Sequence, residues 1–145
     1  MKKTIIFCII LGILTICIIL LFHYFSYTEQ TKRASIVLDE SQKFSKSEVE
    51  SAAKCVYEYF LDTDEMYLKK LWYDEELSNE TIKSYMANST KLINIDEANV
   101  IVLYTNHHKG KNYITGPNMN YNKYAWILVE DSETGEWCIV DSGLD

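Results

Sequence analysis

The chain has 145 residues, 48% hydrophobic and 24% charged, with a formal net charge of −7. That length allows one modest domain plus an accessory segment. All 21 acids follow residue 28, with 12 of the 14 Lys and Arg, so residues 29–145 carry 12 − 21 = −9; this argues against a nucleic-acid partner and gives no general attraction to anionic headgroups.

The accessory segment comes first. Residues 4–22, TIIFCIILGILTICIILLF, hold no charge. At 1.5 Å per residue they rise about 28 Å, close to the ~30 Å hydrocarbon core of a bilayer. A cleaved signal peptide would need a shorter apolar region and a small-residue site, which HYFSYTEQTKRAS lacks. A lipoprotein signal would need a small residue before the modified cysteine, and Cys17 follows Ile16. The reading left is an uncleaved single-pass anchor over 1–28, with the bilayer as its partner through 4–22. Lys2 and Lys3 flank it on one side, and nothing basic follows until Lys32 and Arg33. The positive-inside rule therefore predicts a cytoplasmic N-terminus and an extracytoplasmic C-terminal domain. His23, Tyr24, Phe25 and Tyr27 make an aromatic belt at the exit.

Residues 29–43 are polar and aperiodic apart from Ile36–Leu38, and read as a linker to a domain over 44–145. A helix is predicted over 45–61. Ser45 and Glu48 form a capping box, Phe44 and Val49 sit at hydrophobic-staple spacing, and Val49, Ala52, Ala53, Val56, Tyr57 and Phe60 recur on one face. Residues 67–73, YLKKLWY, read as a strand. A short helix is expected over 79–87, capped by Ser78 and stapled by Leu77 and Ile82. Residues 98–105 read as a central strand, because their apolar run is continuous. Residues 106–122 read as a long polar connection, in which Tyr113–Thr115 could extend a hairpin turning at Gly116-Pro117-Asn118. Strands over 123–131 and 136–141, joined by SETG, predict a hairpin. The order implies an α+β fold: an N-terminal transmembrane helix, then a small domain with a long helix packed on a curved antiparallel sheet.

The candidate chemistry is sparse. "KLWYDEELS", residues 70–78, runs two aromatics into three acids. Asp74 is the best catalytic candidate, since Trp72 and Tyr73 could exclude water and raise its pKa. Acids before a helix also favour the helix dipole, which is the plainer reading. Trp72, Tyr73 and Trp126 are the candidate ligand-binding residues. His107 and His108 are adjacent, so on a strand they point to opposite faces, and they read as loop histidines rather than ligands of one metal. Asp62-Thr63-Asp64-Glu65 begins like a calcium loop but has Tyr67 and Tyr73 where glycine and glutamate are needed. Asn79-Glu80-Thr81 and Asn88-Ser89-Thr90 match the short glycosylation pattern. His107–Tyr113 is the one basic patch in an acidic domain. Cys55 and Cys138 could pair in an oxidising compartment, although Cys55 lies about 120° from the centre of the apolar stripe. No cofactor is implied.

Several of these motifs occur together. The capped helix over Phe44–Phe60, Leu71–Glu75, Gly116-Pro117-Asn118, Trp126-Ile127-Leu128-Val129 and Gly135-x-Trp137…Asp141-x-Gly143 resemble a family of small bacterial domains of unknown function, often secreted or membrane-anchored. The resemblance covers about residues 44–144 and implies a cystatin-like cone, similar to the nuclear-transport-factor-two superfold. Two positions depart from it: Met66 stands where the family has a cysteine, and no aromatic follows Gly143. Three functions are expected from the whole. The first is a binding module at the cell surface for a cell-envelope ligand or protein. The alternatives are a cone-fold enzyme using Asp74 in a pocket walled by Trp72 and Trp126, and an accessory module with no pocket.

Overall fold

The computed structural model describes residues 2–63, 65–88, 95–110 and 119–144. The expected turn at Gly116-Pro117-Asn118, the hairpin extension at Tyr113–Thr115, Asp64, and Ser89 with Thr90 lie outside the described residues. The elements are α1 Lys2–Thr31, β1 Ser35–Leu38, α2 Lys46–Leu61, β2 Met66–Tyr73, α3 Glu75–Asn88, a 3-10 turn Glu97–Asn99, β3 Val100–Lys109, β4 Met119–Glu130 and β5 Trp137–Leu144. The protein is α+β. Among the described residues, five strands form one sheet in the order β1-β2-β3-β4-β5. Strands β2 to β5 pair antiparallel, whereas β1 runs parallel to β2. The sheet is therefore mixed at one edge rather than wholly antiparallel.

Helix α2 forms as its sequence dictates. The Ser45 side chain accepts the Glu48 N–H at 3.3 Å, and the Glu48 carboxylate accepts the Ser45 N–H at 2.6 Å, which closes the capping box. Its stripe Val49, Ala52, Ala53, Val56 and Phe60 is buried. The stripe packs on one sheet face against Leu68, Leu71, Tyr73, Ile101, Leu103 and Trp126. The other face carries a second core, where Ile82 of α3 meets Val100, Val102, Tyr104, Ala125 and Ile127. Central strand β3 is thus covered on both sides, which is why its residues are a continuous apolar run.

Three boundaries differ from expectation. Helix α3 starts at Glu75, not 79. Its cap is Asp74, whose Oδ1 accepts the Leu77 N–H at 2.9 Å. Ser78 lies inside the helix, buried, and its hydroxyl accepts the Val102 N–H at 3.0 Å. A small polar residue on the packed face of a helix can serve the neighbouring strand instead of the helix end, and here it does. Asn79 accordingly falls within a helix, not on a loop. Strand β3 continues four residues beyond Thr105. Finally, residues 29–43 hold the last turn of α1 and strand β1, so the segment is not a free linker. Thr31 is fully buried, and its hydroxyl accepts the Leu68 N–H at 3.1 Å.

The hairpin between β4 and β5 turns as predicted. Gly135 has φ +71°, and the Asp131 carboxylate accepts the Glu133 and Thr134 N–H groups. Among the described residues no helix is long and apolar enough to cross a membrane. The described side chains in the apolar part of α1 run from Ile9 to Leu21 and are all exposed; that stretch rises about 20 Å.

Two substitutions test this packing. Phe60→Ala should cost about 3–5 kcal/mol, as expected for emptying a fully buried aromatic site. Thr31→Val should cost about 1–3 kcal/mol, because it leaves the Leu68 N–H buried without an acceptor. Denaturant unfolding followed by tryptophan fluorescence reads both; a Thr31→Val variant as stable as the parent would show that α1 does not brace the domain.

Candidate functional site

Strand alternation decides the fate of the expected pocket. Leu71 and Tyr73 face α2, so Trp72 between them faces α3. Trp126 faces α2 and is 4% exposed. Trp72 and Trp126 therefore lie on opposite faces of the sheet and cannot wall one pocket with Asp74. Trp72 is half-buried, stacked on Tyr104 at 5.7 Å with Lys70 Nζ 5.0 Å from its ring. Asp74 is occupied as the α3 cap.

The next acid does more. The Glu75 carboxylate accepts the Ser41 hydroxyl and, at 2.7 Å, the Gln42 N–H. The Ser41 oxygen in turn accepts the Phe44 N–H at 3.0 Å and sits 3.2 Å from the buried Tyr73 hydroxyl. The Ser41 hydrogen bond is the main reason that the Glu75 carboxyl is held below its usual pKa. Burial pushes the Tyr73 phenol up. Lys43 donates to the carbonyls of Glu97 and Val100, and burial lowers its pKa. These bonds pin residues 39–44 across the top of β2.

That pinned segment forms one wall of an open cleft of about 440 Å³. Leu38, Phe44 and Val49 supply its apolar lining, and Asp39, Glu40, Glu50 and Lys46 its charged groups. The lining is local in the chain, from Leu38 to Glu50; the part with no local signal is the bond from Ser41 to Glu75 that pins one wall.

The second unforeseen feature surrounds His107. It is 2% exposed inside β3 rather than in a loop. Four rings enclose it: Tyr121 stacked at 4.9 Å, Tyr124 edge-on at 5.0 Å, Phe60 at 5.1 Å and Trp126 at 6.2 Å. Trp126 Nε1 can only donate, and it donates to Thr105 Oγ1 at 2.8 Å. The Thr105 hydroxyl lies 3.0 Å from His107 Nδ1, within reach to donate its proton to a neutral imidazole. Burial, reinforced by His108 and Lys109, pushes the His107 pKa down to about 4. The arrangement is a satisfied polar chain within an aromatic core. His108, on the opposite face, is half-buried with Nδ1 3.1 Å from Asn120 Oδ1. Among the described residues no group of three or more His, Cys, Asp or Glu side chains converges as a metal site.

Cys55 and Cys138 are free thiols. Cys138 alternates with Trp137 and Ile139, which both pack on the α2 side. Its side chain therefore projects from the other face, whereas Cys55 of α2 abuts Ile139 and has its pKa raised by burial. The two thiols stand separate, although Cys138 adds to the upward push on the Cys55 pKa. No family model, curated protein or solved structure matches the chain.

Asp74→Ala should cost about 1 kcal/mol and Asp74→Asn much less, since asparagine caps as well as aspartate; thermal denaturation of the pair tests the cap. The pH dependence has a defined sign. Unfolded histidine titrates near 6.5 and His107 near 4, so the unfolded chain binds more protons between these values. Stability should fall as pH drops from about 6.5 to about 4, by ~3 kcal/mol in total. Carboxylates held low, such as Glu75, lose their contribution only around and below their ordinary value of 4.5. Denaturation between pH 6.5 and 4.5 therefore isolates the histidine, and His107→Gln should flatten that slope.

Proposed function

We propose that the chain is a single-pass membrane protein whose extracytoplasmic α+β domain binds a cell-envelope ligand or protein. Residues 4–22 are the anchor, the N-terminus is cytoplasmic, and residues 29–145 lie outside. Support for the anchor comes from the uncharged run itself and from the exposure of Ile9, Ile10, Leu11, Ile13, Leu14, Ile16 and Ile19, at 52–64%. Successive residues step by about 100° around a helix, so these cover its whole circumference. A helix apolar on every side needs an apolar surround, and a bilayer provides one.

The observation that carries the binding reading is the cleft beside α2. Its volume falls in the ~300–1,000 Å³ range typical of ligand sites. It combines an apolar lining with three carboxylates and one ammonium, a composition suited to a ligand with an apolar body and a cationic group. It also lies at the end of β2 away from the anchor, about 17 Å along the strand from Leu68, where an envelope partner has access. The ordered motifs over 44–144 and a helix packed on a curved sheet support a cystatin-like cone of the family that they resemble.

Two measurements test this. A membrane-impermeant maleimide added to intact cells should label the exposed Cys138; labelling only after lysis would reverse the orientation. A thermal-shift series with cationic and neutral cell-envelope fragments should raise the melting temperature for at least one cationic fragment. Glu40→Lys with Glu50→Lys should abolish that shift without altering the unliganded melting temperature. If no fragment shifts it, the domain is an accessory module.

A further inference from the structure

The proposed anchor and the domain are joined without a hinge. Helix α1 runs unbroken from Lys2 to Thr31, and the buried Thr31 hydroxyl holds Leu68. One turn below, the Tyr27 ring packs 5.8 Å from Tyr67, which packs 5.0 Å from His108. The contact continues to Gly110: a Cβ added there would stand 2.6 Å from the Tyr27 hydroxyl. Going down α1 from Thr31 to Tyr27 therefore means going down β2 from Leu68 towards Met66, and along β3 towards Gly110. The register places Met66, Lys109 and Met119 side by side at that lower end.

The level of this end relative to the bilayer follows from the helix rise. Tyr27 is five residues past Phe22, so it stands about 7.5 Å beyond the hydrocarbon boundary if α1 is upright. The headgroup layer extends roughly 5–8 Å from that boundary. Met66, Lys109 and Met119 are one strand residue lower, about 3 Å nearer the lipid.

We infer that the lower end of β2, β3 and β4 is a second membrane contact, seated in the headgroup layer of the bilayer that holds α1. Its chemistry suits that layer. Tyr27 and Tyr67 are interfacial aromatics. Met119 is an apolar side chain left 37% exposed at the strand end. Lys69 is exposed, with its Nζ 5.6 Å from the Tyr67 ring centroid and 2.6 Å from Asn120 Oδ1, and Lys109 lies beside Met119; both can reach lipid phosphates as interfacial lysines do. The neighbouring turn brings Asp62 and Glu65, and the Glu65 carbonyl accepts the Gly110 N–H. The contact is therefore the mixed aromatic, apolar and lysine kind, not a polybasic attraction. It holds the sheet upright, with the acidic cleft directed away from the membrane.

This inference rests on the proposed anchor, and its test separates the two. The full chain, with its four native cysteines replaced by serine, is reconstituted in phospholipid nanodiscs with one nitroxide at a time. The labels are placed by Met119→Cys, Asn120→Cys, Glu40→Cys and Ile13→Cys. Collision with a water-soluble nickel chelate is expected to be lost at Ile13, reduced at Met119 and Asn120, and full at Glu40. Labels at Met119 and Asn120 as accessible as Glu40, with Ile13 shielded, would overturn the second contact and leave the anchor standing. An accessible label at Ile13 would overturn the anchor, and with it this contact.

Discussion

Strand β3 meets two demands at once. It must pair with β2 and β4 along its length, and it must bury side chains on both faces, because α2 covers one and α3 the other. Val100 to Tyr104 meet this with an unbroken apolar run, fully buried. Further along, the demand becomes harder. The chain turns polar at Thr105, yet the strand continues. Bulges in both partners, at Lys69 in β2 and beside Lys123 in β4, fall at the same level, and Lys123 takes a positive φ of 51° with its N–H on Asn106. Bulges bend a strand and increase its twist, so paired bulges on both sides curve the sheet around the end of α2. The aromatic enclosure of His107 sits in that bend.

The polar chain Trp126–Thr105–His107 is the consequence. A neutral histidine with its Nδ1 satisfied can be buried at moderate cost; a charged one cannot. Desolvation favours the neutral form, and the surrounding rings exclude the water that would stabilise the other. The same logic applies at the opposite end. At Glu75 the Ser41 hydroxyl and backbone N–H groups donate to the carboxylate and favour its charged form, and the same bonds also set one wall of the cleft. In both places the polar residue organises the structure through hydrogen bonds.

The join to α1 ties this curvature to orientation. A single buried hydroxyl, Thr31, completes the ladder edge at Leu68, and Tyr27 fills the space over Gly110 that a side chain would occupy. A helix rigidly fused to a sheet transmits its tilt to the sheet. For an anchored domain that decides which end meets the membrane and which end faces outward.

How much of this was legible differs from element to element. The sequence by itself determined α2, its capping box, the β4–β5 hairpin and the uncharged run of α1. Those signals are local: an i, i+3 hydrogen-bond pair, a 3.6-residue stripe, a turn with glycine at positive φ. The burial of His107 was readable in part, since it lies in phase with Ile101, Leu103 and Thr105 at two-residue spacing, but its polarity masked the phase. Tertiary structure alone decided the rest. It gave the α3 cap to Asp74 and turned Ser78 towards Val102, because the cap goes to the residue at the strand's end and the buried hydroxyl to the nearest orphan N–H. It set Trp72 and Trp126 on opposite faces of the sheet, because which face a strand residue occupies depends on registers and bulges in its neighbours. And it pinned residues 39–44, which run straight into α2, to the start of α3: Ser41 and Glu75 are more than thirty positions apart along the chain, a distance that no local pattern spans.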